Sequence, residues 1–156
     1  MSAQAQPFTF ITGFLATNPQ TNTLVFKETA PAKADTVRVF GVEDDSLLRM
    51  LLSTKFEMSS VAFDFSEDGV GVTERIREFK PTVILLDIMI GGVNGLDLLQ
   101  EIKRTTDLRH IPVVMFSNQD SYEERARATT LGASEYLVKA TTDLSDLIKL
   151  LTRLSS

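Results

Sequence analysis

Thr82-Val83-Ile84-Leu85-Leu86-Asp87-Ile88-Met89-Ile90-Gly91-Gly92-Val93-Asn94-Gly95 reads as an apolar run, one carboxylate, and then a glycine-punctuated loop. A short unbroken hydrophobic run bounded by turn residues marks a strand buried on both faces of a parallel sheet. In open α/β sheets, ligands and chemistry collect beyond the carboxyl ends of such strands. Asp87 is therefore the first candidate for a reactive group.

Working outward, the same alternation of β-rich runs and amphipathic stretches extends from Thr36 to the end of the chain. Strands are predicted over Val37 to Val42, Val61 to Phe65, Thr82 to Leu86, Ile111 to Phe116 and Ser134 to Val138. Helices are predicted over Ser46 to Phe56, with Leu47, Leu48, Leu51 and Leu52 on one face, and over Asp68 to Phe79, stopped by Lys80-Pro81. Three more follow: Leu96 to Arg104, Ser121 to Leu131 with Gly132 as a left-handed cap, and Leu144 to Leu154. Parallel strands need right-handed crossovers, so five βα units close into an α/β fold with helices on both faces. The expected product is a doubly wound five-stranded parallel sheet, flavodoxin-like (βα)5, of strand order 2-1-3-4-5.

With 156 residues, 43% of them hydrophobic, the chain can bury one core and an appendage. Residues 36–156 form the α/β domain, and residues 1–35 an N-terminal extension outside its rhythm. Phe8 to Phe14 and Thr23 to Phe26 flank the turn-prone Thr17-Asn18-Pro19-Gln20-Thr21-Asn22, which predicts a β-hairpin, and Glu28 to Asp35 reads as a linker. The aromatics of the extension suggest an added β element on the domain or on a second copy, so a homodimer is left open. A net charge of −5 without a basic stripe argues against nucleic acid as a partner. Cysteine is absent, which excludes disulfides and thiolate metal sites. Neither a basic leader nor an apolar span of about 18 residues is present, so no membrane association is expected and the cytoplasm is the default location.

Three other polar groups occupy strand ends equivalent to that of Asp87. Glu43-Asp44-Asp45 follows the first strand, Ser117-Asn118-Gln119 the fourth, and Lys139 the fifth. Three consecutive acids repel one another unless a helix N-terminus or a cation compensates. Asp45 or Ser46 can cap the following helix, leaving Glu43 and Asp44 to face a hard divalent ion such as Mg²⁺ or Mn²⁺. Two metal-binding acids, a nucleophilic carboxylate, a hydroxyl and a cation together fit phosphoryl transfer, whose transition-state charge must be neutralised.

In order and spacing, Glu43, Asp44, Asp87, Ser117, Tyr136 and Lys139 resemble the receiver domain of two-component response regulators, over about Val37 to Leu154. The resemblance implies that Asp87 is the phospho-acceptor, charged by a histidine kinase or phosphotransfer protein. It implies that Asp44 binds Mg²⁺ directly and Glu43 through water, with Asp87 and the Met89 backbone carbonyl as further ligands. Lys139 and Ser117 would bind phosphoryl oxygens, Tyr136 would turn inward as the switch, and Met89 and Gln119 would tune the lifetime of the acyl phosphate. Output would pass to an unknown downstream protein by contact, and the chain would catalyse only its own phosphorylation and dephosphorylation, so it is not expected to be an enzyme.

Two departures from the family pattern stand out. Ala140 occupies the place of a proline often joined to the lysine by a cis bond, and cis costs about 2.5–4 kcal/mol before a non-proline residue. Gly91 also replaces a common proline, which predicts a looser loop after Asp87. Arg49, four residues past Asp45 on the first helix, is placed either near an acid of the site or in solvent. The alternative function is a receiver-like scaffold or dimerisation module that is not phosphorylated. An aspartate-nucleophile phosphohydrolase would want a second acid where Met89 stands, and a flavin protein would not place three acids in its phosphate loop.

Overall fold

In the computed structural model of the protein, which describes residues 13–17, 24–28 and 36–156, the chain divides into two units, Met1–Ala34 and Asp35–Ser156. In the first unit, strands β1 (Gly13–Thr17) and β2 (Leu24–Glu28) pair antiparallel with Leu15 opposite Phe26. The described part of the first predicted strand is Gly13–Thr17, which carries it to Thr17, a residue the sequence reading placed in the turn. Residues 8–12 and the linker from residue 29 lie outside the described residues.

The second unit runs β3 (Arg38–Val42), α1 (Ser46–Met58), β4 (Ala62–Ser66), α2 (Val72–Phe79), β5 (Val83–Leu86), β6 (Met89–Ile90), β7 (Val93–Asn94), α3 (Gly95–Arg104), β8 (Val113–Ser117), α4 (Tyr122–Leu131), β9 (Glu135–Val138) and α5 (Leu144–Leu154). Five of these strands form one parallel sheet in the order β4-β3-β5-β8-β9. Counted among themselves they run 2-1-3-4-5, so the doubly wound, flavodoxin-like fold is present. The central strand β5 is buried at all four positions, as its unbroken Val-Ile-Leu-Leu run requires.

Helices cover both faces. Ile76 of α2, Leu99 and Ile102 of α3 and Ala128 of α4 close over Phe40, Ile84 and Met115. On the opposite face, Leu52 and Phe56 of α1 and Leu147 and Leu151 of α5 close over Val39, Leu85 and Val114. Burial of each apolar face, at roughly 25 cal/mol per Å², stabilises the crossovers laid on it.

Local chemistry explains where the elements begin. The Asp45 carboxylate accepts from the N–H groups of Leu47 and Leu48 and starts α1, while Asn94, Ser121 and Asp143 cap α3, α4 and α5 in the same way. Gly132 ends α4 in the left-handed region, as expected. Three expectations need correction. Helix α2 starts at Val72 because Gly69 and Gly71 take φ of 72° and 62°, left-handed values that no helix continues through. The buried stripe of α1 is Leu48, Leu52 and Phe56 at i, i+4 and i+8, so Leu47 and Leu51 are exposed instead of sharing that face. Finally, the loop after Asp87 is not loose: β6 and β7 pair Met89 with Asn94 and Ile90 with Val93, and Gly91 takes the turn at φ 53°.

Candidate functional site

Strand register assembles the site. Val42 lies opposite Leu86, so Glu43 and Asp87 emerge side by side where β3 and β5 end. The Asp87 N–H donates to the Val42 carbonyl (3.1 Å), extending the ladder to that point. Ser117 closes β8 opposite Val138, which places Lys139 at the neighbouring strand end. Four chain segments distant in sequence therefore deliver their polar groups to one edge of the sheet.

Glu43 and Asp87 are 4% and 6% exposed, a costly position for two carboxylates. The cost is offset by Lys139, whose Nζ lies 2.7 Å from Asp87 Oδ2 and 2.7 Å from Glu43 Oε2. Burial works against the ammonium, but the hydrogen bonds and charges of the two carboxylates prevail and raise Lys139 above its ordinary value. Burial pushes the Glu43 carboxyl up, with Lys139 opposing and Asp87 adding to the rise. The second Asp87 oxygen, Oδ1, accepts from Ile88 N–H (2.6 Å) and weakly from Met89 N–H (3.4 Å). Both oxygens are thereby oriented before any ligand arrives.

Asp44 is exposed, and its Oδ2 accepts the Gly91 N–H at 3.0 Å. Carboxylate oxygens of Glu43, Asp44 and Asp87 lie within 4.8 Å of one another. Such a cluster of hard oxygen donors with one side open to solvent fits an octahedral divalent cation that keeps some of its waters.

A second group forms beside it. The Ser117 Oγ is 1% exposed as a residue and accepts the Gln119 N–H (3.2 Å). The Tyr136 hydroxyl donates to the Gln119 carbonyl (2.9 Å), so its ring is turned inward onto the α2–α4 face of the core. Burial, with Glu124 adding, raises the Tyr136 phenol above its ordinary value. Arg125 stacks 4.8 Å above the same ring, anchored to Asp120 by a 2.7 Å hydrogen bond. Turned to its satisfied orientation, the Gln119 amide donates to Glu124. The Met89 side chain, by contrast, points outward at 59% exposure and only its N–H reaches Asp87.

The structure thus joins Glu43, Asp44, Asp87 and Lys139 in one set and Ser117, Gln119 and Tyr136 in an adjoining one. The Lys139–Ala140 peptide is trans, and a single 3₁₀ turn over Lys139–Thr141 leads into α5. Sequence reasoning left Arg49 undecided. Its guanidinium donates to the Glu43 carbonyl (2.8 Å) and pairs with Glu67 (3.2 Å) at 15% side-chain exposure. Arg125 and the Gly91 amide were missed altogether; the position of Arg125, four residues past the helix cap Ser121, was the only signal for the first.

A parallel five-stranded sheet carries at its carboxyl edge an acid pair, a buried aspartate, a hydroxyl and a lysine. The family model of the response regulator receiver domain matches residues 39–152, and the chain belongs to that family. It is similar to the response regulator MprA of Mycobacterium leprae (strain TN), 28% identical over 103 residues that take in 66% of this chain and 44% of MprA. The chain spans less than half the length of such curated relatives. The BeF3-activated N-terminal receiver domain of Klebsiella pneumoniae RstA superposes with a TM-score of 0.68 at 26% identity, over 76% of this chain and 99% of that one. The Mn(2+)-bound form of response regulator Rcp1 superposes with a TM-score of 0.63 at 26% identity, over 77% and 92% of the two chains. Among the described residues, no helix is long and apolar enough to cross a membrane.

Proposed function

We propose that the protein is a phosphorylation-dependent signalling switch in which Asp87 accepts a phosphoryl group from the phosphohistidine of a kinase or phosphotransfer protein. The observation that carries this reading is the Lys139 ammonium held 2.7 Å from both Asp87 and Glu43. It is a fixed positive charge placed where negative charge must accumulate. In the transfer, the bond from phosphorus to the donor imidazole nitrogen breaks and a bond to an Asp87 oxygen forms. The imidazole keeps the electron pair, takes up a proton and leaves.

Asp44, Asp87 and the Met89 carbonyl would hold the divalent cation, with Glu43 acting through water. When bound, Mg²⁺ or Mn²⁺ would screen phosphoryl oxygens and align them for in-line attack. Lys139 takes one phosphoryl oxygen and Ser117 Oγ another, Met89 and Gln119 flank the path of hydrolytic water, and Tyr136 reads the movement of Ser117. No external substrate is turned over, so the protein is a switch and not an enzyme in the usual sense. Exposed Leu47 and Leu51 line a groove with Asn118, Lys139 and Ala140, which supports a protein donor.

The test is labelling by acetyl phosphate, read by intact mass. A phosphate-sized gain is expected for the wild type in Mg²⁺ and is expected to vanish in Asp87→Asn and in chelator. Failure of the wild type to gain mass while still binding the ion would overturn the switch and leave an unphosphorylated scaffold.

A further inference from the structure

We infer that Arg49 is a positioning residue for the divalent cation, acting through the backbone that carries Glu43 and Asp44; this rests on the metal reading above. The acid loop is tied down on each side. The Glu43 N–H donates to the Ser66 carbonyl (3.0 Å), and the Asp45 N–H donates to Glu43 Oε1 (3.1 Å). The carbonyl between those two anchors, that of Glu43, is taken by the Arg49 Nη1 at 2.8 Å. That carbonyl belongs to the peptide leading into Asp44, so its direction sets where the Asp44 side chain departs. The other arm of the guanidinium reaches Glu67 Oε2 at 3.2 Å, beyond the end of β4. A planar fork can satisfy two acceptors at a fixed angle, which a flexible ammonium cannot do.

The placement also separates two roles that a nearby arginine could have. The guanidinium does not contact the three carboxylates that could share the cation; it holds a neutral carbonyl and an acid outside that set. As a counter-charge alone, Arg49 would repel an incoming divalent ion, and its removal would tighten binding. As a clamp, it keeps Asp44 and Glu43 in register with Asp87, and its removal loosens binding. The two roles predict opposite signs for one measurement.

The experiment is Mn²⁺ titration of the full chain, followed by the electron paramagnetic resonance signal of free Mn²⁺, with a thermal melt of each variant. Arg49→Met, which keeps the stem packing, is expected to weaken Mn²⁺ binding about tenfold, in line with the usual effect of removing a group that orients a ligand. Arg49→Lys retains charge and folds under the same packing; it is expected to bind several-fold more weakly than the wild type because the fork is lost. An unchanged or tighter Mn²⁺ affinity in either folded variant overturns the clamp. A wild type that binds no Mn²⁺ overturns the metal reading as well, whereas wild-type binding with unaffected variants strikes the clamp alone.

Discussion

Asp44 and Gly91 are joined by a 3.0 Å hydrogen bond from the glycine N–H to the carboxylate, tying the loop after β3 to the hairpin after β5. Gly91 makes it from a left-handed conformation at φ 53° with open space around its α-carbon. Gly91→Ala is therefore expected to cost about 1 kcal/mol of stability from backbone strain alone, measured by urea unfolding. Gly91→Pro removes the donor and forbids the φ. It is expected to cost more and also to weaken Mn²⁺ binding, while the alanine variant retains it.

Lys139→Met would leave Glu43 and Asp87 buried together without a cation. A loss of about 3 kcal/mol is expected, the scale on which removing one partner of a buried pair is felt. Saturating Mg²⁺ should return part of that stability, since a ligand bound only by the folded state stabilises it. A variant as stable as the wild type without Mg²⁺ would count against the offset of burial by Lys139.

The same lysine sets a pH dependence. Its folded pKa is raised above the ordinary 10.5, because the bonds and charges of Asp87 and Glu43 outweigh the opposing burial. A group raised on folding contributes stability that is complete below its unfolded value and is lost as pH climbs through the folded one. On the alkaline side of the carboxylate range, the difference in unfolding free energy between wild type and Lys139→Met should hold steady and then shrink above pH 10.5. A difference that grew with alkalinity would reverse the assigned sign.

A Cβ on Gly95 would overlap the backbone carbonyl oxygen of Asp87, and the Gly95 N–H already donates to Ile88 O at 2.7 Å. Gly95→Ala is expected to cost about 1–3 kcal/mol by overpacking and to slow acetyl phosphate labelling, because the shift needed to relieve the clash moves the acceptor. Labelling at the wild-type rate in a folded Gly95→Ala protein would show that the backbone of Asp87 is not fixed by this contact.

Tyr136→Phe removes the hydroxyl that bonds to the Gln119 carbonyl and to the Ser117 side chain. A cost of about 1 kcal/mol is expected, with labelling of Asp87 intact, because Tyr136 belongs to the adjoining set and touches neither Lys139 nor the acids by a hydrogen bond recorded in the structure. Loss of labelling in this variant would merge the two sets into one.

What the sequence disclosed follows from how strongly each residue constrains its neighbours. The place of Asp87 at a strand end was legible because an unbroken apolar run marks the strand before it, and α5 matched from Leu144 to Leu154 because its leucines keep helical spacing behind the Asp143 cap. The start of α2 was not, since Asp68 to Gly71 fit a helix entry or a loop until Gly69 and Gly71 adopt positive φ. The two-residue strands β6 and β7 are too short to show any period. Arg49 and Arg125 act at the ends of long side chains, and their targets, a carbonyl and a ring, leave no mark on the spacing of charges.

The Lys139 bridge also sets an order of loading. At formal charge, three carboxylates and one ammonium leave the pocket with two uncompensated negative charges. An incoming dianionic phosphoryl group meets repulsion there, whereas a divalent cation brings the pocket to neutrality. If Asp87 is phosphorylated as proposed, cation entry would be the electrostatically downhill first event and phosphoryl arrival the second, so the concentration of free divalent ion would act as a permissive gate on when a signal can be written.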